Sequence, residues 1–365
     1  MLIAALLAAA SLNLSIFNPL KIAFEDFAFT DVYYAMLKSG EKELCTDIVL
    51  VDMTRQRDRG EIARTLQAVS ECRPKVVCVD LIFEKESAYA AADAELVGTV
   101  ETVPNLVLSS KILDYDAERD AFRTRVLSFF SAFGSYEWGY GNLPAKHGRG
   151  YIRDYTLSEL YDSTRVYSLA YVAACRYLGK RPTEEPNNSR PIVYANTDFP
   201  VISCDSVREH AGLLQGKLVL VGTMTEESDM HITPVGKMPG MKVQAFAAYS
   251  YLTHQEIRNM SDTSGLIIAF IICYFSAFFG LWLTQRYPYT GIYLRKLYYF
   301  LLAAVLVWAG FVLFVRYNYN INLLYPLLGL ALVEEARFHY KWIVAFINRH
   351  PRWRFAKNSI YNADK

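Results

Sequence analysis

The stretches DIVLVDM (residues 47–53) and KVVCVDL (75–81), with RGEIARTLQAVSEC (59–72) between them, decide the fold class of this chain. Both short stretches are almost unbroken apolar runs rich in β-branched residues, which is typical of strands buried on both faces of a parallel sheet. The segment between them has apolar residues at helical spacing, as expected of a right-handed crossover between parallel strands. We therefore predict an α/β domain with a mostly parallel sheet and helices on both faces.

The same alternation of strands and helices extends over most of the chain. Further strands are predicted in NLVLSS (105–110), PIVYA (191–195) and KLVLVG (217–222). Further helices are predicted at residues 19–37, 90–100, 166–179 and 241–253, and an antiparallel hairpin at residues 135–157. These elements place one folded domain at residues 19–263.

The apolar composition predicts membrane helices in addition to this domain. Hydrophobic residues make up 53% of the 365 residues and charged residues 21%, whereas a soluble domain has about 45–50% and about 25%. The excess lies near the two ends, and we predict about four transmembrane helices, at residues 1–18, 265–284, 297–315 and 319–340, the last three within residues 264–340. The first stretch has a second interpretation as a signal peptide, although no basic segment precedes it, and whether residues precede Met1 stays open.

The distribution of charge predicts how the chain is oriented. Residues 19–263 contain 27 Lys and Arg against 34 Asp and Glu, a formal charge of −7, which argues against nucleic acid as a partner. Basic residues gather instead in the loop after the second predicted membrane helix and in the tail at 341–365; they include Arg286, Arg295, Lys296, Arg349, Arg352 and Arg354. Because positive charge marks the cytoplasmic side, we expect the acidic domain in the periplasm of a bacterium and the tail at the cytoplasmic face of the inner membrane, against the lipid bilayer.

Two aspartates end the first two predicted strands. Asp52 closes VLVD and Asp80 closes VVCVD, and ligands bind at the carboxyl ends of the strands in a parallel sheet. Two adjacent carboxylates at this edge would hold a cation or a sugar hydroxyl. The alternative is that each carboxylate only caps the turn that follows its strand.

The loop VGTMTEESDMHITPVGKMPG (221–240) is the second candidate for ligand binding. Gly222 closes a predicted buried strand, where a residue without a side chain lets a ligand approach closely. The polar residues that follow include Thr223, Asp229 and Thr233. The alternative is a connector that only covers the edge of the sheet.

The sequence contains no pattern that would support catalysis or a bound cofactor. It has no HExxH, no CxxC, no GxSxG and no Gly-rich phosphate loop. We therefore expect no enzyme activity, no metal site and no cofactor. Of the six cysteines, five lie outside the predicted membrane helices, and one disulfide among them stays open.

Four stretches together resemble the second type of CHASE domain, a sensory extracellular domain of bacterial cyclases and histidine kinases. They are FEDFAFTDVYYAM (24–36), the pair DIVLVDM and PKVVCVDLIFEKES (47–53 and 74–87), GYGNLPAKHGRGYIRDYTL (139–157) and LQGKLVLVGTMTEESDMHITPVGKMPGMKVQAFAAYSYL (214–252). The resemblance covers about residues 20–255, and three membrane helices after the domain are usual in the family. It implies an external sensory domain, with Asp52 and Asp80 at matching places.

The resemblance also implies that a signal crosses the membrane to a cytoplasmic output. Family members usually carry a cyclase, kinase or phosphatase there, but the 25 residues after Tyr340 are too few for a catalytic domain of ordinary size. We therefore expect a sensor or receptor subunit that signals through a separate cytoplasmic or membrane protein, with a homo-oligomer as a further arrangement and the ligand unknown. The alternative is a structural or assembly subunit of an envelope complex, whose external domain docks another protein.

Overall fold

The computed structural model of this chain describes residues 30–31, 33–34, 42–55, 58–142, 151–186, 188–194, 197–254 and 257–349. The chain divides into two compact units. One unit is Tyr34–Glu256, and the other combines Met1–Tyr33 with Ile257–Lys365. Each unit is described by itself.

The first unit contains the strands and helices of the predicted α/β domain. The strands are β1 (Glu43–Leu44), β2 (Ile48–Asp52), β3 (Val76–Val79), β4 (Leu106–Asp116), β5 (Ala121–Val126), β6 (Glu137–Tyr140), β7 (Asp154–Thr156), β8 (Ser158–Tyr161), β9 (Thr164–Tyr167), β10 (Ser189–Pro191), β11 (Thr197–Asp198), β12 (Val201–Ser203), β13 (Leu218–Gly222), β14 (Met230–Thr233) and β15 (Gly236–Pro239). The helices are α1 (Arg59–Glu71), α2 (Ala90–Thr102), α3 (Leu169–Tyr177), α4 (Ala211–Leu214) and α5 (Gly240–Leu252). Short 3₁₀ turns lie at Phe129–Ala132, Cys204–Ser206, Arg208–His210 and Glu227–Asp229.

Nine of these strands form one mixed sheet. The order along the sheet is β12-β2-β13-β3-β4-β5-β8-β9, with β6 also paired to β4. β12, β2, β13, β3, β4 and β6 pair in parallel, whereas β4 with β5 and β8 with β9 pair antiparallel. The prediction of a mostly parallel sheet is therefore right for one part of the sheet only, because the long strand β4 runs past its parallel neighbours and folds back through a tight connection to β5.

The parallel part of the sheet is buried on both faces, which explains its nearly continuous apolar sequence. Side chains alternate across a strand, and Val49, Val77 and Val219 form one core with residues of α1 and α2. The residues between them, such as Ile48 and Leu218, are also fully buried, and α3 and α5 contact that part of the sheet. Burying each such side chain contributes about 1.5–3 kcal/mol, so this apolar pattern supplies much of the stability.

One predicted strand, PIVYA at residues 191–195, does not join the sheet. Only β10, which ends at Pro191, is extended, and it pairs with β7 in a separate two-stranded sheet. The amides that follow find other acceptors: the Ile192 amide donates to the Arg153 carbonyl at 2.7 Å, and the Val193 amide donates to Ser250 Oγ at 2.9 Å. The run is apolar because it is buried, and its backbone is satisfied without a neighbouring strand.

The part of the second unit that the structure describes from Ile257 onwards contains three helices. They are α6 (Asp262–Arg286), α7 (Gly291–Tyr317) and α8 (Leu324–Arg349), and a short parallel pair is formed by β16 (Arg258–Asn259) and β17 (Tyr319–Asn320). Among the described residues, α6 and α7 are long and apolar enough to span a membrane, which by length and composition is weak evidence of a membrane anchor.

The prediction of about four membrane helices is therefore supported for two of them. The predicted helix at 1–18 and most of the one at 19–37 lie outside the described residues. The described residues of the second segment are Thr30, Asp31, Tyr33 and Tyr34, and all four are helical. The prediction of a membrane helix at 319–340 is wrong. Its first two residues form β17, and the apolar part of α8 is only Leu324–Val333. Glu334, Glu335 and Arg337 follow Val333, and the helix continues through the first nine residues of the predicted tail to Arg349.

Small residues let α6 pack closely against its neighbours in this unit. Its buried positions include Gly265, Ala269, Cys273, Ser276 and Gly280, which recur every three or four residues and so lie on one face. Membrane helices often associate through such faces, because small side chains let backbones approach.

The basic residues between α6 and α7 do not all lie in a loop. Arg286 ends α6, whereas Arg295 and Lys296 lie inside α7, which begins at Gly291. Arg295 is only 6% exposed, and its guanidinium donates to Thr284 Oγ1 at 3.0 Å. The connection between the helices is therefore shorter than the sequence suggested. Arg349 is the last residue of α8, and Arg352 and Arg354 lie outside the described residues.

Candidate functional site

The carboxyl ends of the central parallel strands meet at one edge of the sheet, and this edge is the candidate site. Gly222, at the end of β13, is in register with Asp52, at the end of β2. On the other side of β13, the Asp80 amide donates to the Val221 carbonyl at 2.8 Å. β13 thus lies between the two aspartates, which places their backbones roughly 10 Å apart because neighbouring strands are about 4.8 Å apart. The sequence suggested that the two carboxylates are adjacent, but Asp52 and Asp80 do not end neighbouring strands.

The Asp52 carboxylate is engaged by the turn that follows its own strand. Asp52 Oδ1 accepts hydrogen bonds from the Thr54 amide at 2.9 Å and from the Thr54 hydroxyl. The same hydroxyl oxygen accepts from the Met224 amide at 3.0 Å. Asp52 therefore ties the turn after β2 to the loop after β13, which is the arrangement of an aspartate that caps a turn.

Asp80 has a different environment. Its carboxylate accepts a hydrogen bond from Ser109 Oγ at 3.0 Å, and Ser109, on β4, is only 1% exposed. Burial, and after it the nearby charge of Asp229, raise the pKa of Asp80 to about 6, although Ser109, Lys111 and His231 act in the opposite direction. A carboxyl group with such a pKa changes its charge near neutral pH, which is a common property of groups at functional sites.

Glycines bring backbone close to the Asp80 carboxylate. A Cβ atom at Gly141, the residue after β6, would lie 2.7 Å from Asp80 Oδ1 and would overlap with Ser109 Oγ. A Cβ at Gly222 would lie 3.0 Å from Met241 Sδ and 3.4 Å from Asp80 Cβ. Only residues without a side chain allow so close an approach, and so these two positions shape the packing around Asp80.

Gln244 on α5 closes the site from the helical side. Its side chain is 2% exposed, and its Nε2 donates to the Gly141 carbonyl at 2.5 Å. The Gly141 amide donates to the Ser110 carbonyl at 2.8 Å. The segment after β6 is therefore held from both sides, which gives the site a fixed backbone wall.

The loop between β13 and α5 brings a second carboxylate to the same edge. Asp229 lies against Gly240, the first residue of α5, where a Cβ atom would be 2.6 Å from Asp229 Oδ1. A carboxylate is stabilised at this end of a helix by the free backbone amides and the helix dipole. His231 Nε2 is 3.5 Å from Asp229 Oδ1. The loop thus carries both a carboxylate and an imidazole beside Asp80.

The remaining candidate residues differ in what they do. Thr233 is buried, and its hydroxyl donates to the Gly236 carbonyl at 2.6 Å, which closes the hairpin between β14 and β15. Thr223 is partly exposed beside Gly222 at the sheet edge. The structure therefore brings Asp80, Gly222 and Asp229 together and gives Asp52 and Thr233 local bonds within turns.

The site as a whole offers a carboxylate that changes its charge near neutral pH, a second carboxylate, a hydroxyl, an imidazole and backbone groups. Groups of these kinds are able to hydrogen-bond a polar molecule or side chain. In the described part of the chain, no group of three or more His, Cys, Asp or Glu side chains has the geometry to hold a metal ion. All six cysteines are described and buried, and none of them forms a disulfide.

Three residues of the site were not identified from the sequence. Ser109 and Gly141 lie in the quoted stretches NLVLSS and GYGN, but their position beside Asp80 depends on the pairing of β4 with β3 and β6. Gln244 is the one amide on a buried face of α5. A polar residue in an otherwise apolar helical pattern is the signal that could have found it.

A family model described as the CHASE2 domain matches residues 2–281, which is more than half of the chain and extends beyond residues 20–255 at both ends. No curated protein and no solved structure matches the chain. CHASE2 domains are extracellular sensory domains and not catalytic domains. The chain therefore belongs to the CHASE2 domain family.

Proposed function

We propose that this protein is a membrane-anchored sensor whose external domain binds a small polar ligand at the edge of the sheet around Asp80. The ligand would lie between the Asp80 carboxylate, Ser109 and the loop that carries Asp229. The response would pass to a separate cytoplasmic or membrane protein, or to a second copy of this chain. This proposal adds a site and a direction of signalling to the sensory role of the family.

The single observation that carries this proposal is the environment of Asp80. A partly buried carboxylate beside a second carboxylate opposes folding at neutral pH, because burial and like charge both disfavour its ionised form. Two glycines let backbone pack closely against it, and Gln244 holds the backbone at one of them. A carboxylate that opposes stability where it stands is typical of a functional site.

The helix α5 offers a physical route for the response. Its first residue, Gly240, contacts Asp229 at the site, and only residues 253–261 separate its last residue from α6. A ligand that prefers one arrangement of the Asp229 loop would shift the population of α5 positions, since a ligand acts only through its different affinity for two states. α6 and α7 then supply the membrane anchor in this proposal.

The proposed location is the inner membrane of a bacterium, with the domain in the periplasm and the basic residues inside. Arg286 and Lys296 flank the short connection between α6 and α7, and positive charge in such short connections favours the cytoplasmic side. Protease added to intact spheroplasts should remove the domain and leave the end of α8 uncut. Cleavage of the basic tail with survival of the domain would contradict the proposed orientation.

Ligand binding can be tested on the full chain in detergent. We expect the low-molecular-mass fraction of a cell extract to raise the melting temperature by several degrees, because a ligand that binds only the folded state stabilises it. Asp80→Asn should abolish this shift. Asp116→Asn is the matched control, because Asp116 lies on the exposed β4–β5 hairpin, where it pairs with Arg123.

Two outcomes would contradict the sensor. A shift that persists in Asp80→Asn would place the ligand elsewhere. No shift with any fraction, together with a protein that co-purifies with the chain from native membranes in fixed proportion, would identify an assembly subunit.

A further inference from the structure

A cavity of about 140 Å³ lies in the first unit, away from the edge of the sheet. It is bordered by the last turn of α5 and by β7 and β10, and its lining includes Tyr155, Glu185, Arg190, Ser250, Tyr251 and His254. An engineered cavity of about 150 Å³ in another protein binds benzene, so this cavity has room for a molecule of about six heavy atoms. Its lining combines aromatic rings with a few polar groups, and this combination occurs in small-molecule sites.

An ordered ion pair forms one wall of the cavity. Arg190 donates to Glu185 Oε2 at 2.6 Å, and both side chains are about four-fifths buried. Glu185 Oε1 accepts from the hydroxyls of Tyr251 at 2.7 Å and Tyr171 at 3.2 Å. Burial alone would raise the pKa of Glu185, but the bonds from Tyr251 and Arg190 hold it below its ordinary value, so the carboxylate is charged. Opposite charges thus stand side by side in a fixed geometry.

Tyr155 supplies the observation that points to a ligand. It is 5% exposed and lines the cavity, and its hydroxyl has no hydrogen-bond partner among the described residues. Buried hydroxyls are nearly always hydrogen-bonded. Burial raises the pKa of this phenol, so it stays a hydrogen-bond donor at every physiological pH. A donor in this position lacks the acceptor that a bound molecule would bring.

We propose that this cavity binds a small amino-acid-like zwitterion, with its carboxylate at Tyr155 and Arg190 and its ammonium group at Glu185. A guanidinium carries five N–H groups, and Glu185 Oε2 has a lone pair beyond the one that Arg190 uses. A ligand that carries both charges therefore binds both residues and leaves the ion pair between Arg190 and Glu185 intact.

A ligand with only one charge fits this wall less well. An anion on Arg190 would lie beside the charge of Glu185, and a cation on Glu185 would lie beside Arg190. A ligand that neutralises only Arg190 or only Glu185 also leaves the charge of the other residue partly buried and less well compensated, which is unfavourable. The paired charges therefore select for a molecule that carries both.

The cavity is distinct from the sheet-edge site and does not depend on it. Ser250 and Tyr251 belong to the last turn of α5, whereas Gly240, beside Asp229, begins the helix. Loss of binding at one site can therefore be separated from loss at the other. Asp80→Asn should leave the affinity for the zwitterion unchanged.

The test uses the full chain in detergent with alanine as the probe. Propionate, which keeps only the carboxylate, and ethylamine, which keeps only the ammonium group, represent the two halves of alanine. Calorimetry should detect alanine, and each half should bind at least about tenfold more weakly, since a lost charged hydrogen bond changes affinity by about that factor. Tyr155→Phe should weaken alanine binding by about tenfold without lowering the melting temperature of the unliganded protein, because the lost hydroxyl makes no bond within it.

Tyr177→Phe is the matched control, since Tyr177 lies on α3 with its hydroxyl bonded to Asp47 and does not line the cavity. It should bind alanine as the unchanged chain does. No binding of alanine, equal binding of propionate, or unchanged binding by Tyr155→Phe would each overturn the proposal. A lower melting temperature in unliganded Tyr155→Phe would show that the hydroxyl serves the fold instead.

Discussion

The ends of β2 and β3 have similar sequences and different surroundings. Each strand is a buried apolar run that leads to an aspartate, Asp52 or Asp80. Asp52 accepts two hydrogen bonds from Thr54 in its own turn, whereas Asp80 meets Ser109 from another strand and the charge of Asp229 from a distant loop. One carboxylate is satisfied within three residues of sequence, and the other depends on residues brought together by the fold.

This difference teaches that position in the sheet decides the role of a strand-terminal aspartate. β2 and β3 flank β13, but only the β3 side is bordered by Gly141 and by Gln244 of α5. The same residue type therefore stabilises the fold at one strand end and opposes it at the other. Four measurements test this comparison.

The largest effect is expected from Gly141→Val. Its side chain would overlap with Ser109 Oγ and approach the Asp80 carboxylate, so we expect a loss of about 3 kcal/mol in the free energy of unfolding, the upper end of the usual cost of overpacking. Urea unfolding of the full chain measures this loss. Gly98→Val is the control, because nothing lies within 4 Å of a Cβ at Gly98; equal losses in the two variants would show that the space beside Asp80 is not closely packed.

The next largest effect is expected from Asp80→Asn, which should raise the free energy of unfolding instead of lowering it. The pKa of Asp80 is raised from 3.8 to about 6 in the folded protein, so the stability that its protonation confers is complete below pH 3.8 and is lost as the pH rises through about 6. Asparagine removes this loss, and the variant should be more stable at pH 7 by about 2 kcal/mol. The upper limit is about 3 kcal/mol, which is the free energy that corresponds to the shift in the pKa of Asp80.

Unfolding measured at pH 4 and pH 7 checks this expectation. Asp52→Asn is the matched substitution, and it should be neutral or slightly destabilising, because asparagine also caps such turns. A gain of stability in both variants, or a gain in neither, would remove the distinction between the two strand ends.

A smaller loss is expected from Asp52→Ala. The change removes the acceptor of both Thr54 hydrogen bonds, and losing bonds to a charged acceptor costs about 1.5 kcal/mol. The sheet-edge site should be unaffected, so binding of extract components should persist in thermal-shift measurements. Loss of binding in this variant would assign Asp52 to the site after all.

The smallest effect is expected from Thr54→Val, at about 1 kcal/mol. The hydroxyl of Thr54 bonds both Asp52 and the Met224 amide. The double variant with Asp52→Ala should therefore lose less stability than the two single variants added together, because residues in one hydrogen-bond network are coupled. Strict additivity would mean that the turn after β2 and the loop after β13 are independent.

Much of the α/β unit could be predicted from the sequence. The strands β2, β3 and β13 and the helices α1, α2, α3 and α5 lie within a few residues of their predicted bounds. Buried strands and amphipathic helices leave strong local patterns, which is why these elements are readable. The family resemblance drawn from the quoted stretches is also confirmed.

The errors came from contacts that leave no local pattern. PIVYA is apolar because it is buried, and nothing in its own residues shows that Arg153 and Ser250 accept its amide bonds. Arg295 resembles a loop residue in the sequence, but α7 begins at Gly291 and Arg295 is buried against Gly280 and Thr284 of α6. The mixed sheet follows from the length of β4, and strand length is poorly encoded in a short apolar run.

The sequence by itself determined the alternation of strands and helices, the apolar helices α6 and α7 and the concentration of polar residues around Asp80 and Asp229. The tertiary structure decided that β13 separates Asp52 from Asp80, that Ser109, Gly141 and Gln244 surround Asp80, and that Tyr155 faces a cavity beside Glu185 and Arg190. The physical reason is that periodicity reports which face of an element is buried, whereas sites form where residues distant in sequence meet. Strand order and helix docking set those meetings, and both depend on the energy of the whole core.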